Sequence, residues 1–106
     1  NLELLEMMAA GKHVVATEYS AHTEFCNEEN SYLLPISDVE PAFDNKWFFG
    51  QGNWAKIDES EVEMLVKLMQ RFIKLGKGKL NQTGIETAKK FSWQNTAKEM
   101  VKCLKR

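Results

Sequence analysis

Two short apolar runs constrain this chain more than any other feature. "HVVAT" at 13–17 and "SYLLPI" at 31–36 are rich in β-branched and aliphatic residues and hold no acid, lysine or arginine. Runs of that length suit buried strands, because a helix needs roughly ten or more residues to show its period. A strand that is apolar throughout must be covered on both faces, as in a parallel sheet flanked by helices. Helical spacing precedes the first run: Leu2, Leu5 and Ala9 recur at helical intervals over 2–10, and Gly11 suits the position after a helix end. Thr23 to Cys26 fits one helical turn. The order helix, strand, turn, strand predicts an α/β fold with short parallel strands and flanking helices.

The later part of the chain reads as helices. Asp58 is a good N-cap and Glu61 stands at the capping-box position. Val62, Leu65, Val66, Met69, Phe72 and Ile73 then form one apolar stripe, closed by Gly76-Lys77-Gly78. Thr83 with Glu86 suggests a second capping box, with Ala88 and Phe91 facing inward. Ser92 caps a last helix whose Trp93, Ala97, Met100, Val101 and Leu104 share a face. Its basic end, Lys102, Lys105 and Arg106, suits the helix dipole. Between strands and helices, residues 37–57 break the rhythm with Pro41, Gly50 and Gly52. They are expected to form a long, insertion-like ordered loop. Trp47, Phe48, Phe49 and Trp54 in it are costly to leave in water, and Trp47 or Trp54 should pack back onto the domain.

Composition narrows the function classes. A net charge of −1 gives no electrostatic support to general nucleic-acid binding. No apolar run approaches the roughly 20 residues that span a bilayer, and no basic segment leads into an apolar core as in a signal peptide. Cys26 and Cys103 lie far apart with two histidines in the chain, which predicts reduced thiols in a cytoplasmic protein and no structural zinc site. "GQGNWA" at 50–55 lacks the third glycine and the strand–helix setting of a dinucleotide loop. His13 and His22 are isolated from any nucleophile or carboxylate at telling distance, Met7 and Met8 suit core filling, and Lys74–Lys79 suits a solvated helix end. On spacing alone, Glu3 and Glu6 read as solvated helix carboxylates.

The opening stretch carries more than spacing. "LLEMMAAGKHVVAT" resembles the C-terminal domain of retaining GT-B glycosyltransferases, whose pattern runs Glu-Gly-aromatic-Gly-Leu-Pro-Leu-Leu-Glu-Ala-Met-Ala-x-Gly-Lys-Pro-Val-Ile-Ala-Thr. Glu24 matches a carboxylate often seen after the next turn. "NEENSYLLPI" resembles the strand that follows, and "KKFSWQNTAKEMVKCL" the family's closing helix. The resemblance covers both ends of the chain and leaves 37–57 outside it.

The resemblance implies the second half of a Rossmann-like domain that binds a nucleotide-sugar donor, in an enzyme that transfers the sugar with retention of configuration. Glu6 would be the second of the family's paired glutamates, accepting hydrogen bonds from the ribose hydroxyls. The first of the pair would precede Asn1, so the chain is expected to be an inactive fragment with no catalytic residue of its own. Asn1, Leu2 and Glu3 would form the helix N-terminus that favours the donor diphosphate. Glu3 stands where the family commonly has Pro, and its charge should point away. The family generally needs no metal or other cofactor. The acceptor is not implied. A unit holding only the later strands of a parallel sheet would leave an edge uncovered and is expected to self-associate. The rival reading is a non-enzymatic α/β interaction module that uses the aromatic segment 47–54; a phosphorylase-like enzyme lacks a lysine in a cofactor-anchoring context.

Overall fold

The computed structural model describes residues 1–105. Helix α1, Leu2–Ala9, begins because the Asn1 side chain accepts a hydrogen bond from the Leu4 N–H at 3.3 Å. It ends at Gly11, whose φ of +70° turns the chain and whose N–H returns to the Met8 carbonyl at 2.9 Å. Strand β1, Val15–Thr17, then pairs in parallel with β2, Tyr32–Leu34, in the register Val15–Tyr32, Ala16–Leu33, Thr17–Leu34. A 3₁₀ turn at Ala21–Glu24 lies between them. The two strands are shorter than the apolar runs that predict them.

Segment 37–57 is a hairpin, which corrects the expected loop. β3, Val39–Phe43, pairs antiparallel with β4, Phe49–Ala55, in a separate sheet. The register shifts between Pro41 and Phe43, and Gly50 and Gly52 take φ of +94° and +81°. The residues that read as loop signals instead build a bulged two-stranded ribbon. The Asp44 carboxylate organises its tip, accepting from the N–H groups of Lys46, Trp47 and Phe48 at 2.8–2.9 Å. These bonds, that of Phe48 foremost, hold the Asp44 carboxyl below the usual range. The aromatics do not pack back onto the domain. Trp47 is 69% exposed, Phe48 and Phe49 are exposed, and Trp54 is half-buried against Phe48.

Helix α2, Glu59–Gly76, follows the Asp58–Glu61 signal. Glu61 is almost wholly buried and accepts from the Ser37 hydroxyl at 2.6 Å, the Ser60 hydroxyl at 2.8 Å and the Asp58 N–H at 3.1 Å. Those bonds, led by the one from Ser37, lower its pKa from 4.5 to about 2. The stripe of α2 divides. Phe72 meets Tyr32 edge-on at 6.0 Å, while Val62, Val66, Met69 and Ile73 stay about half exposed.

Helix α3, Gln82–Lys90, is capped two residues before the expected Thr83. Asn81 is the N-cap and accepts from the Gly84 N–H at 2.9 Å. α3 packs on α1 over the core, where Met8, Val14 and Cys26 are buried with Leu4, Phe25, Leu33 and Ala88 against them. Helix α4, Trp93–Leu104, is capped by Ser92 and buries no residue. Phe91, expected inward, is 44% exposed and leans on Phe25 at 5.5 Å. The radius of gyration is 16.4 Å, against roughly 13 Å for a compact chain of this length.

Candidate functional site

The predicted site residues gather around the start of α1. Asn1 is spent on the cap. The N–H groups of Leu2 and Glu3 have no partner among the described residues. Leu2 is 57% exposed and Glu3 lies in the first turn. Glu6 sits one turn further on, exposed, with no side-chain hydrogen bond or ion pair among the described residues. A rise of about 1.5 Å per residue sets it roughly 6 Å along the axis from Leu2.

Glu6 lines an open groove of about 210 Å³ with Leu2, Leu5, Ala9, Ala88, Phe91 and Trp93. The antiparallel packing of α1 on α3 makes this groove. Gly11 lies near Leu80 and Ile85 at one end, so Leu2 meets the end of α3 and the start of α4 at the other. Phe25, just past the 3₁₀ turn, touches Phe91. The start of α1, the turn after β1 and the end of α3 therefore converge. Glu6 is the one charged residue on an otherwise apolar lining, beside two exposed aromatic rings. Glu3 does not line the groove, and Glu24 lies exposed in the 3₁₀ turn. The groove is smaller than pockets that enclose a whole small ligand, which run from about 300 Å³ upward. Chemically it offers a hydrogen-bond acceptor for hydroxyls and flat apolar surface for stacking.

Asn30 and Asn81 fix this geometry from behind. Asn81 Nδ2 donates to the Lys12 carbonyl at 3.1 Å and the Asn30 carbonyl at 2.8 Å, and its backbone N–H to the Gly11 carbonyl at 2.9 Å. Asn30 Nδ2 donates to the Phe25 carbonyl at 2.7 Å and to Thr87 Oγ1 at 3.0 Å. Two buried amides thus tie the end of α1, the approach to β2 and the start of α3 together.

A more polar cavity of about 400 Å³ lies where β2 meets α2, lined among others by Glu18, Glu28, Glu29, Tyr32, Arg71 and His13. The His13 Nε2 is buried without a hydrogen-bond partner, its ring set between Tyr32 at 6.0 Å and Phe72 at 5.7 Å. Much of its lining comes from the stretch "NEENSYLLPI", in which the sequence pointed to no site residue. Among the described residues no group of three or more His, Cys, Asp or Glu side chains is placed to hold a metal ion, and no helix is long and apolar enough to cross a membrane.

Comparison with family models, with curated proteins and with solved structures finds no match to this chain.

Proposed function

We propose that the groove beside α1 is part of a nucleotide-sugar site, and that the chain is the later portion of the donor-binding domain of a retaining GT-B-type glycosyltransferase. The observation that carries this reading is Glu6. It is a free carboxylate on an apolar groove walled by Phe91 and Trp93, next to unpartnered backbone N–H groups at a helix N-terminus. Vicinal ribose hydroxyls need such an acceptor, a base or sugar face needs the rings, and a diphosphate favours the helix end. The resemblance of "LLEMMAAGKHVVAT" supplies the reaction class. In this reading the donor is a substrate, no cofactor is involved, and the protein works in the cytoplasm.

The test is amide and indole NMR of the chain titrated with uridine, adenosine and guanosine diphosphates. The reading expects one of them to shift Leu2, Glu3, Glu6 and the Trp93 indole together. Shifts confined to other regions, or none at all, overturn it.

One observation favours a second reading. The hairpin tip presents Phe43, Trp47 and Phe49 at half exposure or more, a patch that suits protein contact. If ligands leave the groove untouched while hairpin amides broaden on partner addition, the chain is an interaction module.

A further inference from the structure

We propose that α4 of one copy docks antiparallel on α2 of a second copy, and that the exchange is reciprocal about a two-fold axis. α4 is 12 residues long and buries none of them. Its first turn is tied down, with Asn95 Nδ2 donating to the Lys90 carbonyl at 3.1 Å, and the remainder stands free. A helix that short is marginal in water and draws its stability from an apolar face packed on something. The face is there: Met100 is 64% and Leu104 86% exposed, with Ala97 and Val101 beside them.

α2 offers the matching surface. Val62, Val66, Met69 and Ile73 follow one another at intervals of four, three and four, and all are about half exposed. Trp93, Ala97, Met100 and Leu104 repeat the same intervals on α4. This is the spacing of a two-helix seam. Laid antiparallel, Leu104 meets Val62, Met100 meets Val66 and Ala97 meets Met69, while Trp93 and Ile73 close the far end beside the Glu6 groove.

Charge suits this pairing. The start of α2 is acidic, with Asp58, Glu59 and Glu63, and the end of α4 carries Lys102, which also pairs with Glu99, and Lys105. The antiparallel arrangement brings those ends together and sets the negative end of one helix dipole against the positive end of the other. Glu63 and Lys105 fall on facing flanks. Two α4 helices paired in parallel would bring Lys102 and Lys105 of both copies together. A two-fold exchange covers both seams of both copies, which approaches a standard-size interface; one seam alone falls short.

The experiment is sedimentation equilibrium of the whole chain from micromolar to millimolar concentration, with Met69→Asp and Met100→Asp made separately. Circular dichroism checks that each variant keeps its fold. The native chain is expected to dimerise. Each variant alone breaks both pairings and is expected to be monomeric. Mixed together, the Met100→Asp copy supplies an intact α2 and the Met69→Asp copy an intact α4, so one of the two seams re-forms and a heterodimer returns, weaker than the native dimer. Glu63→Lys is expected to weaken the native dimer about threefold or more, two exposed pairs being lost at once, and Lys105→Glu in the same chain to restore it. A native chain that stays monomeric to millimolar overturns the proposal, and so does either variant dimerising alone as tightly as the native chain.

Discussion

The α1–β1–β2–α3 body and the β3–β4 hairpin are held by opposite means. In the body the decisive bonds join residues far apart in sequence: Asn81 to Lys12 across 69 positions, Asn30 to Thr87 across 57 and Asn81 to Asn30 across 51. In the hairpin almost everything is local. Asp44 bonds the next turn, Trp54 Nε1 donates to Glu40 at a separation of 14, and Phe43 meets Phe49 edge-on at 6.1 Å. Among the described residues, only the Tyr19 hydroxyl, donating to the Asn53 carbonyl at 3.1 Å, makes a side-chain hydrogen bond from the body to the ribbon. The body closes a small core around Met8, Val14 and Cys26; the hairpin leaves Phe43, Trp47, Phe48 and Phe49 exposed. A break in the body should therefore be global, and a break in the hairpin local.

The body variants should show the largest effects. Met8→Ala removes a fully buried side chain from a small core and should cost about 2–5 kcal/mol. Asn81→Ala leaves the Lys12 and Asn30 carbonyls and the Gly84 N–H unpartnered, at about 1–3 kcal/mol for each buried group. Domain stability starts at only about 5 kcal/mol, so either change can unfold the chain. Urea titration followed by circular dichroism measures both. An unmoved midpoint would show that the body is held elsewhere.

Acid comes next. The folded pKa of Glu61, about 2, lies below its ordinary 4.5. Its bonds therefore add stability that is fully present above about 4.5 and is lost as pH falls toward 2. Glu61→Gln should lower stability at neutral pH and flatten that part of the pH profile. Parallel profiles for the two proteins would remove Glu61 as the cause.

The hairpin variants should do least. Trp54→Ala loses the stack on Phe48 and the bond to Glu40, worth about 0.5–1.5 kcal/mol beyond area burial, and hydrogen exchange should quicken in β3 and β4 alone. Trp47→Ala, at an exposed site, should shift stability by no more than about 0.5 kcal/mol. Loss of body protection in either variant would erase the contrast between the two regions.

What could be read from the sequence follows the same division. Signals that act within a few residues were legible: the Asp58–Glu61 start of α2, the Ser92 start of α4, and Gly11 after α1. The hairpin was not, because Pro41, Gly50 and Gly52 are residues that normally argue against strands, and a bulged ribbon outside the main sheet tolerates them. Asn81 was missed for a different reason. Thr83 makes an equally good local cap, and what favours Asn81 are partners at Lys12 and Asn30 that no local window contains. The candidate site divides likewise. Leu2, Glu3 and Glu6 are adjacent in sequence and carry the resemblance, whereas Phe91 and Trp93 reach the groove only through the packing of α1 on α3.

The most direct test concerns Glu6 and the ribose. Calorimetric titration of a ribonucleotide sugar and its 2′-deoxy counterpart, each against the native chain and Glu6→Ala, gives a complete cycle. A carboxylate that accepts from the hydroxyls is worth about 1.5–3 kcal/mol, so Glu6→Ala should weaken the ribose form about ten- to a hundredfold. The deoxy form should bind the native chain weakly and lose little more in Glu6→Ala, because the contact is already gone. Additive losses, or equal binding of the two donors by the native chain, would contradict the assignment of Glu6 to the donor.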